Sequence, residues 1–366
     1  MRRNWSHASH ICQRDSHRRG RWGRARPRRR NGECLPQRKC CGGTPMTSRP
    51  LVDPELIAFI EAFPTVNIGA ENLAAVRQSR DAALAQLPPF PASVRVEEVF
   101  IPGPKGAPDV RLKLYRKKDG AEGPRPAILH LHGGGYIMGN PEFMGPMCAL
   151  WADAYDAVVV APAYRIAPET AFPGNVEDAY AALAWANARA ADLGIDTARI
   201  AVAGESAGGG LAASLALLVR DRGEYSFCHQ QLIFPMIDDR TAVRADLSPM
   251  FGEFVWTNAS NHFGWASLLG QPPGSPDVSP YAAAARAESL AGLPPTFIST
   301  GALDLFTEEN LEYARRLMAE GVPVELHVYP GAPHAYMQMA GARVTRAYMR
   351  DALSALARGL GVDWKD

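Results

Sequence analysis

A serine set between glycines, where a strand-like stretch meets a helix-like one, limits what this chain can fold into more than any other feature. In "VAGESAGGGLAASLALL", beginning at Val202, the run "ARIAVA" reads as a short buried strand and "AGGGLAASLALLVR" as a helix. Gly-x-Ser-x-Gly at such a junction makes a sharp strand-to-helix turn that exposes the Ser206 hydroxyl at the C-terminal edge of a sheet. Small neighbours are needed because the turn draws backbone segments close together. Five residues alone also fit an ordinary glycine-rich turn. The flanking strand and helix give the pattern its weight.

The surrounding chain continues that alternation. Two strand-like runs, "VRVEEVF" from Val94 and "VRLKLYRKK" from Val110, are separated by a Pro/Gly-rich hairpin. Short apolar strands are then expected at Pro126–Leu131, Ala157–Pro162, Ile200–Ala203, Gln231–Pro235, Thr296–Thr300 and Val324–Tyr329. Helical patterns intervene at Val176–Leu193, Ala207–Arg220, Glu308–Glu320 and Thr345–Leu360. Apolar strands without clean alternation, separated by helices, imply an α/β fold with a mostly parallel sheet covered on both faces. The two early strands would form an antiparallel edge.

Two stretches stand outside this rhythm. Residues from Asp53 to about Leu87 read as two amphipathic helices: "DPELIAFIEAF", with Asp as N-cap and Pro at the first helical position, and "NLAAVRQSRDAALAQL". The stretch 240–287 is rich in aromatics and prolines, with "FVWTNASNHFGWASLLG" at its centre. An insertion between sheet strands, on the side where strand ends converge, is well placed to cover a site. The segments at about 50–90 and 240–287 are expected to form a helical cap on a domain running from 46 to 366.

Charge separates the first residues from the rest. Thirteen Lys or Arg face two acids in Met1–Thr44, leaving twenty-six basic against thirty-six acidic residues beyond it. That segment lacks apolar periodicity and cannot bury enough surface to offset its ordering entropy. It has no apolar core for a secretory signal, and its prolines and glycines oppose the amphipathic helix of a transit peptide. A basic arm suits nucleic acid, yet nothing downstream supports that use. Its four cysteines lack the paired spacing of a zinc site. Residues 1–45 are therefore expected to be a disordered extension, with translation starting at Met46. Only Cys148 and Cys228 lie beyond it, too few for a disulfide framework. No run reaches the roughly 20 apolar residues of a membrane span, so a soluble, cytoplasmic protein is expected.

A nucleophilic serine needs a base, and the base needs an orienting carboxylate. In this architecture the chain order is Ser, acid, His. The histidines beyond Ser206 are His229, His262, His327 and His334. His334, in "GAPHAYMQM", follows a strand end and can reach Ser206, whereas His327 lies within a strand. Asp304, in "STGALDLF", occupies the equivalent place after the preceding strand. Asp238 and Asp239, in "FPMIDDR", also follow a strand end and are the competing acids, though a turn or an ion pair with Arg240 would account for them. Upstream, "LHLHGGGY" places a glycine run at the end of another strand. Such a run lets backbone amides point at a developing oxyanion, joined by the amide after the nucleophile, Ala207.

The motifs "HGGGY", "YRIAPE", "GESAGG", "GALDLF" and "GAPHAY" occur in the order and rough spacing of hormone-sensitive-lipase-like esterases, the bacterial type IV carboxylesterases. The resemblance covers nearly everything from Pro50 to the C-terminus. It implies an α/β-hydrolase sheet, an N-terminal helical cap and serine hydrolysis of short- or medium-chain esters. By motif position it puts nucleophile, acid and base on Ser206, Asp304 and His334, and the oxyanion donors on Gly134, Gly135 and Ala207. Glu205 stands where Asp or Thr is more frequent in that family, and "LF" follows the acid where proline is common.

Glu205 and Glu169 have two readings each: a carboxylate orienting the serine turn or the glycine loop, or a routine ion pair, for instance with Arg165. Among the aromatics, Tyr136 is the expected substrate contact because it adjoins the glycine loop. Trp256, Phe263 and Trp265 at helical spacing fit a core equally well. The chemistry calls for no metal or organic cofactor. The expected partner is a small-molecule ester, with no nucleic acid or membrane, and a homo-oligomer is left open.

Overall fold

The computed structural model describes residues 47–63, 65–120 and 123–364. The basic segment 1–45, with its cysteines and the expected start at Met46, lies outside the described residues.

Eight strands form one sheet among those residues: β1 (Val94–Ile101), β2 (Val110–Lys117), β3 (Arg125–Leu131), β4 (Val158–Pro162), β5 (Ile195–Glu205), β6 (His229–Ile233), β7 (Thr296–Gly301) and β8 (Val324–Tyr329). They lie side by side in the order β1-β2-β4-β3-β5-β6-β7-β8. Pairing is antiparallel from β1 to β2 and from β2 to β4, and parallel from β4 through to β8. The expected antiparallel edge and parallel body are both present. Because β3 to β8 run in one direction, the loops leaving them gather along one edge of the sheet.

The helices are α1 (Ile57–Ala62), α2 (Leu73–Ala83), α3 (Gly145–Ala154), α4 (Gly174–Ala188), α5 (Ala190–Leu193), α6 (Ala207–Arg222), α7 (Asn258–Leu269), α8 (Thr307–Ala319) and α9 (Arg343–Leu360). Helices α4, α6 and α8 bury Leu183, Leu215 and Leu317 with the strand side chains Leu129, Val202 and Ile298. On the other sheet face, α3 and α9 bury Trp151 and Leu356 with Ile128, Val159 and Ala201. Strand residues alternate between these two cores, so both faces are dry and the strands read as continuous apolar runs.

The elements depart from expectation at four places. Strand β5 begins at Ile195, five residues earlier than its apolar run, because the polar first half joins the sheet through the Arg125–Ile195 pairing. Helix α3, "GPMCALWADA", is too short and too uniformly apolar to show an amphipathic stripe. The expected Val176–Leu193 helix divides at Arg189 into α4 and α5. At the N-terminal end Asp53 does cap, accepting from the Glu55 amide at 2.9 Å, but Pro54–Leu56 form a 3-10 turn before α1 starts.

The two off-rhythm stretches meet. The Thr47 hydroxyl and the Ser48 amide and hydroxyl all donate to the Glu253 carboxylate. The Ile68 amide donates to Ser260 Oγ at 2.9 Å, and Thr257 Oγ1 donates to Asn67 Oδ1 at 2.7 Å. Among the described residues, no helix is long and apolar enough to cross a membrane.

Candidate active site

Ser206 caps the end of β5 with φ +56° and ψ −122°, a left-handed conformation that a non-glycine residue adopts only when its surroundings force it. The forcing contacts are visible in the neighbouring glycines. A Cβ on Gly204 would stand 2.3 Å from the Gly208 carbonyl oxygen, and one on Gly208 would stand 2.0 Å from that of Leu131. The turn closes only because these side chains are missing. The Ser206 amide donates to the Ile233 carbonyl at 2.9 Å, and the Met236 amide donates to the Ser206 carbonyl at 2.9 Å, tying the turn to the end of β6.

His334 lies in the loop after β8 and Asp304 in the loop after β7. Asp304 Oδ2 is 2.8 Å from His334 Nδ1, and His334 Nε2 is 3.0 Å from Ser206 Oγ. All three residues are buried. Asp304 Oδ1 accepts from the Phe306 amide at 3.0 Å, so both carboxylate oxygens are engaged. The Leu303 amide donates to the Ala332 carbonyl at 3.0 Å and fastens the acid loop to the histidine loop. The imidazole is boxed by aromatic rings, with centroids 4.7 Å away at Phe234, 5.3 Å at Phe306 and 6.5 Å at Trp256. Sequence reasoning passed over Phe234 and Phe306. Their one signal was position, since each follows a strand end beside a chemistry-bearing residue.

The glycine loop leaves β3 directly beside this turn. A Cβ on Gly133 would stand 2.9 Å from the Glu205 carbonyl oxygen. Gly134 and Gly135 have φ of +134° and +61°, a path open to residues without a Cβ. No hydrogen bond of the described residues occupies the amides of Gly134, Gly135 or Ala207. Tyr164 steadies the loop: its hydroxyl donates to the His132 carbonyl at 2.6 Å and its ring stacks on that imidazole at 4.2 Å. Burial pushes His132 down to about 4, the nearby His130 adding to this against the bond to the Gly133 carbonyl.

The other candidates are held elsewhere. Asp238 pairs with Arg240 at 2.7 Å and Asp239 with Arg286 at 2.7 Å. His229 bonds Gln231 within the core and His327 bonds Glu325. Tyr136 turns inward: its hydroxyl donates to the Met236 carbonyl at 2.9 Å and its ring packs on buried Trp265. It packs behind the loop against Met236 and Trp265, while Trp256 is the aromatic that crowds Gly135. The Trp256 ring atom Cη2 lies 2.1 Å from where a Gly135 Cβ would stand. Glu169 pairs with Arg77 of α2 at 2.6 Å, and Arg165, its expected partner, goes to Asp178 at 2.7 Å. Among the described residues, no group of three His, Cys, Asp or Glu could hold a metal ion.

A parallel sheet with a serine on its strand-to-helix turn, and an acid and a histidine on later strand ends, defines the α/β hydrolases. The profile of a family described as "alpha/beta hydrolase fold" matches residues 128–338. Esterase LipI of Mycobacterium tuberculosis is 34% identical over 80% of this chain and 90% of its own length. Carboxylesterase NlhH of the same organism is 33% identical over 81% and 92%. The solved structure of a bacterial heroin esterase superposes with a TM-score of 0.80 at 41% identity, covering 85% of this chain and 98% of that one. The chain belongs to the hormone-sensitive-lipase-like carboxylesterases of the α/β-hydrolase fold. It is an enzyme, a carboxylic ester hydrolase.

Proposed function

We propose that the enzyme hydrolyses short- to medium-chain esters through an acyl-enzyme on Ser206. His334 Nε2 takes the hydroxyl proton as Ser206 Oγ attacks the ester carbonyl. The oxyanion is received by the amides of Gly134, Gly135 and Ala207. His334 then gives that proton to the departing alcohol, and water repeats the two steps on the acyl-enzyme. Asp304 holds the Nδ1–H tautomer and balances the imidazolium that forms. The observation that carries this reading is the unbroken run from Asp304 through His334 to Ser206, at 2.8 and 3.0 Å, inside an aromatic box.

Trp256 sets the short reach of the acyl site. Its ring touches the glycine loop and approaches His334, so it occupies space beside the carbonyl carbon where a long acyl chain would run. The segments bearing α1, α2 and α7 act as the cap that covers this space.

Ser206→Ala is expected to lower turnover of p-nitrophenyl acetate by about 10⁴-fold or more and to abolish labelling by a fluorophosphonate, with an unchanged circular dichroism spectrum. Undiminished hydrolysis by that variant overturns the assignment. Deleting residues 1–45 is expected to leave kcat/KM at the full-length value. The cut must spare Thr47 and Ser48, which hold Glu253.

A further inference from the structure

Behind the serine turn lies a buried pair that two-step ester hydrolysis does not itself call for. His130 Nε2 stands 3.0 Å from both carboxylate oxygens of Glu205. His130 is 0% exposed and Glu205 6%. Trp151 of α3 meets the imidazole edge-on at 5.7 Å. Burial by itself would push His130 down, but the Cys148 sulfur and the Glu205 carboxylate outweigh it and hold the imidazole well above its usual value.

Where the pair sits matters more than its charge. Strands β3 and β5 are parallel neighbours, with His130 opposite Ala203 and a last rung at Leu131–Gly204. Beyond that rung the ladder pairing stops, although the backbones stay close at Gly133 and Glu205. One becomes the loop carrying Gly134 and Gly135, and the other becomes the turn carrying Ser206 and Ala207. His130 lies just before the first departure and Glu205 just before the second. A side-chain bond between them therefore clamps the two segments where backbone pairing stops. Stability is a poor reason for such a pair, because a well-packed apolar pair of similar volume usually serves as well or better. Amides gathered from two segments, however, must converge on one oxygen to within a fraction of an ångström.

We propose that His130 and Glu205 are positioning residues, clamping the glycine loop to the serine turn so that the oxyanion hole forms from both. The proposal rests on reading Gly134, Gly135 and Ala207 as the oxyanion donors. It is tested on the full-length enzyme with a double variant, His130→Leu with Glu205→Leu, which removes the clamp without leaving a buried charge.

With p-nitrophenyl acetate, kcat is expected to fall about 100-fold while KM stays within about twofold and the melting temperature is kept. Affinity for a trifluoromethyl ketone, whose serine adduct carries the oxyanion, should fall by the same factor as kcat/KM. His130→Gln, which keeps an N–H directed at Glu205, should restore most of the rate. A double variant with wild-type kcat overturns the proposal, as does one in which kcat and ketone affinity fail to move together. If near-ultraviolet circular dichroism shows that the double variant has not folded, Glu205→Leu alone is read by the same criteria. A wild-type enzyme that binds trifluoromethyl and methyl ketones equally well would show instead that Ser206 forms no oxyanion-bearing adduct, so the acyl-enzyme reading has failed and the proposal falls with it.

Discussion

Asp304 and His132 are both buried, so a few close partners decide what each side chain can do. Asp304 has no exposure, and its two oxygens go to different partners, one to His334 and one to the Phe306 amide. Asp304→Asn keeps the shape but presents an amide to Nδ1, which favours the wrong imidazole tautomer. A loss of about 10⁴-fold in kcat is expected, with KM little changed, read by steady-state kinetics. His132 is pushed down to about 4 by burial. An unfolded chain takes up that proton near the ordinary 6.5, so the stability contribution is full above 6.5 and is lost as pH falls towards 4. Urea unfolding should show about 2 kcal/mol less stability at pH 5 than at pH 6.5 from this group. His132→Asn should lack that slope. The triad candidates were legible from residue type and order, whereas the buried state of His132 was not, since it depends on Tyr164 arriving from the loop after β4.

At the scale of elements, the candidate site gathers at strand ends, with Trp256 added from the segment ahead of α7. The glycine loop, Ser206, Asp304 and His334 follow the ends of β3, β5, β7 and β8, whose apolar runs could be read directly. Trp256 comes from the segment ahead of α7, after Val255 with φ +66°. Sequence pattern could not rank it above Phe263 or Trp265, because spacing along one segment does not reveal which ring faces another segment's glycine. Trp256→Ala is expected to open the acyl side. The ratio of p-nitrophenyl octanoate to acetate kcat/KM should rise about tenfold or more, as a few buried methylenes each add up to about 0.8 kcal/mol. An unchanged chain-length profile would remove Trp256 from that role.

For the molecule as a whole, the question is how the N-terminal helices are held to the sheet domain. Arg77 of α2 answers much of it. Its guanidinium donates to the carbonyls of Ile137 and Ala167, each at 2.8 Å, and pairs with Glu169. Arg77→Ala should cost about 2 kcal/mol in urea unfolding, since charged donors to carbonyls are lost together. The hydrogen bond from Arg77 holds Glu169 down to about 2, below the ordinary 4.5. A depressed carboxyl contributes stability above its unfolded value and loses it as pH falls through the folded one. The gap between wild type and Glu169→Gln should therefore be present above pH 4.5 and vanish towards pH 2. Glu169 is largely exposed, so solvent screening limits that gap to about 0.5 kcal/mol.

By itself, the sequence determined the α/β class, the strand ends that bear Ser206, Asp304 and His334, and the glycine loop beside them. Those features follow from local rules: apolar period, glycine where backbones crowd, and chain order along a parallel sheet. Tertiary structure alone decided which face each aromatic shows, that Tyr136 packs behind the loop while Trp256 crowds Gly135, and that Glu205 meets His130 and Glu169 meets Arg77. A partner's identity depends on distances between segments far apart in the chain, and no local period encodes those.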